Sequence, residues 1–257
     1  MQIFSVITVV KGGGGGTYLS ETCESVASQR LPKGWSLQWL VQADTETSEL
    51  LSRLPDKPWI SKGVSRTGGT AHTRTVALQR VSGLLTRALD AHALLPDEST
   101  LARDVEVLAA NPDLGWAVAP TLEVQPDGRF VPVPAGSLPG RLPPGFMADS
   151  LRVGNLSATR TTATFYTELL MVHGGWPAIP PLENASPLLA AEAVVDGWMQ
   201  EKPGEVSRKR LSPQPGGPEH QQKLEPEMTM YIEAVVGRAD ALRQLGWRWQ
   251  PSVPAAI

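Results

Sequence analysis

Cysteine is all but missing. Cys23 is the only one in 257 residues, so no internal disulfide can form and the chain suits a reducing, cytoplasmic compartment. Its place on an apolar stripe makes it a core residue. An excess of either charge is missing too: 23 Lys and Arg against 26 Asp and Glu give a net charge of −3. That leaves no electrostatic footprint for nucleic acid or an anionic membrane. No apolar run approaches the roughly 20 residues needed to cross a bilayer. The run at residues 3–10 lacks the preceding positive charge and small-residue cleavage site of a secretory leader, and it is expected to be a first buried strand. His72, His173 and His220 lack ligand-like spacing and are expected to be structural or exposed. There is no internal repeat.

What is present is a chain 41% hydrophobic, enough for one larger globular domain or a domain with an elaborated C-terminal part. Strand-like and helix-like segments alternate through its first half. Strands are expected at residues 3–10, 37–42, 59–64, 84–89 and 115–120, with helices at 17–29, 48–53, 71–80 and 99–110. Such alternation predicts an α/β fold with a mainly parallel sheet and helices on both faces. Later come a hairpin around Asp127-Gly128, an ordered loop at 132–144 with five prolines, and helix or strand-helix character at 161–172. A helix is expected at 186–199, a loop-like, mobile segment at 202–226, and an amphipathic helix at 228–245.

In sheets of this kind ligands bind beyond the carboxyl ends of the strands. The residues expected there are 11–16, Asp44, 65–69 and 90–92. The glycine run 12–16 follows Lys11 and precedes a helix, so it suits close approach of a phosphate or base, or is a flexible loop. It is neither a dinucleotide fingerprint nor a P-loop. Asp44 suits a base or ribose, or a helix cap; Arg66 and Arg74 suit a diphosphate, or the surface. Glu183, before Asn184, is either a general base or a favourable charge at a helix start. Asp90 and His92, two apart at a strand end, point to one face if extended. They form either a metal site or a solvated turn.

The ordered set of segments goes further. "FSVITVV", "YLSETCESVASQRLPKGWSLQWLVQAD", "GGTAHTRTVAL", "LDAHALLPDESTLARDVEVLAANPDLGWAV", "PPG", "GGWPAIPPLEN" and "LLAAEAVVDGW" resemble, in order and spacing, the bacterial inverting glycosyltransferases of family two. The resemblance spans residues 3 to 200. It implies a GT-A nucleotide-diphospho-sugar transferase fold over 1–200, with a nucleotide-binding half to about residue 120 and an acceptor half beyond it. Residues 201–257 are then a C-terminal loop and amphipathic helix packed on that domain. Val10, Lys11 and Asp44 fall where the family holds the nucleoside, Arg74 where an arginine lies near the diphosphate, and Asp90, with Ala91, at the start of the Asp-x-Asp metal motif.

Departures fall on the chemistry. The family's Asp-Ala-Asp-Asp is Asp90-Ala91-His92-Ala93 here, its Glu-Asp pair is Glu183-Asn184, its asparagine after the arginine is Thr75, and its aromatic Tyr-Arg stretch has become "SRKRLSPQPGG". The implied function is transfer of a sugar from a nucleotide-activated donor to a small-molecule acceptor with inversion. The implied catalytic positions are Glu183 and Asn184. The implied cofactor is a divalent cation, Mn²⁺ or Mg²⁺, at Asp90 and His92; the imidazole favours Mn²⁺. The departures leave three outcomes: an altered metal site, metal-independent transfer, or a nucleotide-binding member that no longer transfers sugars.

Overall fold

The first strand, β1 (Gln2–Val10), is buried from Phe4 to Val10 without alternation, as β-branched residues covered on both faces should be. In this computed structural model residues 1–11, 17–66, 68–125, 127–133, 137–153, 163–179, 182–208 and 218–257 are described, 218–226 by backbone alone. The glycine loop 12–16 and most of "SRKRLSPQPGG" lie outside them.

The order continues with α1 (Leu19–Ala27), β2 (Trp35–Asp44), a 3-10 helix (Thr45–Arg53), β3 (Ile60–Ser65), α2 (Gly69–Leu78), β4 (Leu85–Ala88), β5 (Ala93–Leu94), α3 (Thr100–Ala110) and β6 (Leu114–Val118). Then come β7 (Thr121–Val124), β8 (Phe130–Pro132), β9 (Gly140–Arg141), α4 (Phe146–Arg152), β10 (Thr164–Tyr166), α5 (Thr167–Val172), α6 (Ala185–Val194), β11 (Asp196–Met199), β12 (Glu205–Arg208) and α7 (Pro218–Gln244). The large sheet has the order β3-β2-β1-β4-β10-β6-β11-β9, and a smaller one β5-β12-β7-β8. Strands β1 to β4 are mutually parallel, as are β6 and β11. Only β10 and the edge strand β9 run against their neighbours in the large sheet. The sheet is mainly parallel, as the alternation predicts.

Two expectations need correction. Residues 186–199 are not one helix: α6 stops at Val194, and 196–199 form β11 beside β6. The reason is Gly197, which lies so close to the ring of Trp116 that a Cβ there would sit 2.2 Å from it. That backbone approach needs a glycine in a strand. The segment 202–226 is not one loop either. Its residues 205–208 form β12, buried between β5 and β7, and α7 starts ten residues earlier than its apolar stripe suggests.

One hydrophobic cluster runs from Phe4 in β1 to Ala255. Buried within the sheet is a polar knot. Arg87 in β4 donates to Asp104 of α3 at 2.9 Å and to the Gly204 carbonyl at 2.6 Å; Asp104 also accepts from Thr164 (2.5 Å) and Gln200 (3.0 Å). The tail beyond α7 returns to the start of the sheet. The Trp35 indole donates to the Ala256 carbonyl at 2.6 Å, Gln2 bonds Pro254 and Ala256, and Ala255 N–H donates to the Tyr166 hydroxyl.

Candidate active site

The ends of β1 and β2 are tied together first. Asp44 closes β2 and caps the following 3-10 helix, its Oδ1 accepting from the Thr47 N–H at 3.0 Å. The Thr47 hydroxyl lies 2.7 Å from that oxygen and 2.9 Å from the Val10 carbonyl. Both Asp44 and Val10 are buried. Asp44 therefore has a capping duty, whatever else it binds.

The end of β4 is held just as firmly. Leu89 N–H makes a last bond to the Ile7 carbonyl, and Ala93 N–H turns back to the Asp90 carbonyl at 2.9 Å. From α1 the fully buried Thr22 hydroxyl lies 3.1 Å from the Ala91 carbonyl and 2.9 Å from that of Ala93. β5 then pairs with β12. The turn 90–92 is thus fixed on two sides. Ala93 is fully buried: where the resembled family carries a further carboxylate, this chain has a side chain turned into the core.

On α2, Arg74 is only 3% exposed. Its Nη2 donates to Asp90 Oδ1 at 2.5 Å, and its Nη1 donates to the Asn184 side-chain oxygen. Asn184 stands at the N-cap of α6 yet makes no side-chain cap bond. Thr75, next to Arg74, holds the loop before α6: its hydroxyl donates to the Trp176 carbonyl and accepts from the Trp176 N–H, both at 3.2 Å. Gly175, at φ +74°, lets that loop approach so closely.

These groups open on one cavity of about 390 Å³. Lys11, Arg74, Asp90, Ala91, His92, Glu183 and Asn184 all line it, joined by Val9 and Thr70, which carry no sequence signal of their own. Val10 and Asp44 do not line it; they brace the strand ends behind it. Among the described residues that line it, the formal charges are two positive, Lys11 and Arg74, and two negative, Asp90 and Glu183. Among the described residues no three His, Cys, Asp or Glu side chains converge on a point that could hold a metal ion. Asp90 and His92 share the cavity, but the one carboxylate of the pair already serves Arg74. Two protein donors, one of them shared with Arg74, are too few to hold a divalent ion on their own. Elsewhere, His173 is buried with its Nε2 lacking a partner among the described residues, and burial, then the nearby Arg238 guanidinium, hold it down at about 4.

No family model matches the chain, and no curated protein is detectably similar to it in sequence. Solved structures are similar to it in fold. S. aureus TarS 1-349 in complex with UDP-GlcNAc superposes with a TM-score of 0.67 at 18% identity, over 95% of this chain and 70% of that one. The chain has the GT-A glycosyltransferase fold. The mannosyltransferase PcManGT from Pyrobaculum calidifontis, in complex with GDP-Man and Mn²⁺, shares that fold with a TM-score of 0.55 at 18% identity, over 93% of this chain and 73% of that one. Within the GT-A fold the cavity lies beyond the carboxyl ends of β1 and β4, the edge at which open α/β sheets take ligands. No helix among the described residues is long and apolar enough to cross a membrane.

Proposed function

We propose that the chain is a glycosyltransferase that moves a sugar from a nucleotide-activated donor to a small-molecule acceptor with inversion. The observation carrying this reading is the convergence of Lys11, Arg74, Asp90, Glu183 and Asn184, from four separate parts of the chain, on one cavity at the carboxyl edge of a GT-A sheet. The nucleoside lies over the ends of β1 and β2, near Val10, Lys11 and Asp44. The diphosphate lies against Lys11 and Arg74, where oriented donors meet the charge that develops as it leaves. The acceptor hydroxyl or amine attacks the anomeric carbon from the opposite face, and Glu183 takes its proton. Asn184 cannot do so, because an amide has no usable basicity near neutral pH. The carrying test is calorimetry with nucleoside diphosphates, followed by product analysis with UDP- and GDP-sugars. Binding with transfer supports the reading; no binding at millimolar concentration overturns it.

A second reading, a nucleotide-binding protein without turnover, is favoured by one feature: Asn184 stands at the position of the resembled family's base. Nucleoside diphosphate binding without hydrolysis or transfer of any nucleotide sugar would select it.

A further inference from the structure

The guanidinium of Arg74 stands where a cation is wanted. It is almost wholly withdrawn from solvent, and two of its five N–H groups are fixed, one on Asp90 at 2.5 Å and one on Asn184. A charge so deeply placed is costly unless it is paired, and Asp90 supplies the pair from a partly exposed position. For Asp90 to hold a dication as well, its single negative charge would be divided between that ion and Arg74, two cations set side by side. We propose that Arg74, not a divalent ion, carries the positive charge against the leaving diphosphate, with Asp90 as its counterion rather than a metal ligand.

Three residues fit this charge pattern together. Ala93 turns into the core and brings no carboxylate to the cavity. His92 lines the cavity with an imidazole in place of a carboxylate. Asn184 orients the guanidinium through its carbonyl oxygen without cancelling its charge, which a carboxylate at that position would do a second time. Among the described lining residues Lys11 and Arg74 are the cations, against Asp90 and Glu183, so of the charged groups there these two are the ones able to answer the charge an arriving diphosphate brings. Arginine suits this role because it is planar, permanently charged and able to grip two phosphate oxygens at once. In the transfer step the anomeric carbon–oxygen bond breaks with its electron pair going to the diphosphate, which Arg74 and Lys11 receive. The new bond forms to the acceptor atom, and the acceptor's proton goes to Glu183.

The inference rests on the glycosyltransferase reading, and the test separates the two. Binding of UDP, GDP and inorganic pyrophosphate is measured by calorimetry in EDTA and in Mn²⁺, with thermal melts as folding controls. Expected is a Kd for at least one probe that differs by less than about threefold between EDTA and Mn²⁺. Arg74→Gln weakens that probe about tenfold or more, the scale of a lost charge-assisted contact, and Arg74→Lys, which keeps the charge, recovers part of it. Asp90→Asn tightens it, because the guanidinium is released. Should Mn²⁺ tighten binding more than about tenfold, and Asp90→Asn abolish that gain, Asp90 is a metal ligand; the inference falls and the glycosyltransferase reading stands. Should no probe bind in either buffer, the nucleotide site itself fails, and both fall.

Discussion

Arg74 and Asn184, 110 residues apart, are joined by a hydrogen bond from the guanidinium to the side-chain oxygen. Asn184 begins α6 but caps nothing with its side chain; it faces the cavity instead. Replacing it by Asn184→Asp places a second carboxylate on Arg74. Expected is about tenfold weaker pyrophosphate binding, roughly 1.4 kcal/mol, by calorimetry, with a melting midpoint unchanged or higher. Higher turnover from this variant would instead identify Asn184 as a lost base.

In the proposed mechanism Glu183, which lines the cavity, takes the acceptor's proton. Glu183→Gln keeps its shape and removes its basicity, so kcat should fall by about 10²- to 10⁴-fold while donor binding holds. Full turnover in this variant, with a confirmed acceptor, would remove Glu183 from the chemistry.

Arg87 and Asp104 are 0% and 2% exposed, and no water competes for their charges. Asp104→Ala leaves a buried guanidinium uncompensated, at a cost of about 3–5 kcal/mol. For a chain of this length that is a fall of roughly 10 °C in the thermal midpoint. Thr164→Val removes a single neutral donor from the same carboxylate and should cost only about 1 kcal/mol.

The pH profile of stability should carry the mark of His173. In the folded chain burial, and then Arg238, push it from the ordinary 6.5 down to about 4. Between these values the unfolded chain binds a proton that the folded one refuses. The contribution is therefore whole above about pH 6.5 and shrinks as pH falls toward 4, by at most about 3 kcal/mol. Glu192, raised by burial, works in the opposite sense, so the informative quantity is the difference between wild type and His173→Gln in urea melts from pH 7 to 4.5. Parallel curves would rule His173 out as the source.

Much of the first half was legible because its signals are local. The β-branched run of β1, the four-residue spacing of Leu19, Cys23 and Ala27, and the Asn111-Pro112 stop after α3 each declare an element within a few residues. Knowing where strands end placed Asp90 and Lys11 near one another; the chemistry of Arg74 and Glu183 suggested roles for them, and the resemblance brought them, with Asn184, to the same site. What stayed hidden depends on partners far along the chain. β11 exists because Gly197 meets Trp116, and β12 because Ala93 and Leu94 offer it an edge. Arg87 interrupts an apolar strand for the sake of Asp104, 17 residues on in a helix whose pattern shows no reason for a buried acid. Thr22 carries no signal of its own in the sequence, and only the folded chain shows it gripping the turn beside Asp90.

The return of the tail has a consequence for the order of events at the ribosome. The Trp35 indole opens β2, yet its hydrogen-bond acceptor is the carbonyl of Ala256, and Tyr166 waits for the N–H of Ala255. The nascent chain can assemble β1, β2 and β4 early, since their contacts lie within its first ninety or so residues. The ends of β1 and β2 at Gln2 and Trp35 stay unsealed until residues 254–256 are in place. A chain clipped short of residue 250 would hold the cavity of Arg74 and Asp90 on an unlatched sheet, and would be expected to reveal itself to a protease near Trp35 before it lost that cavity.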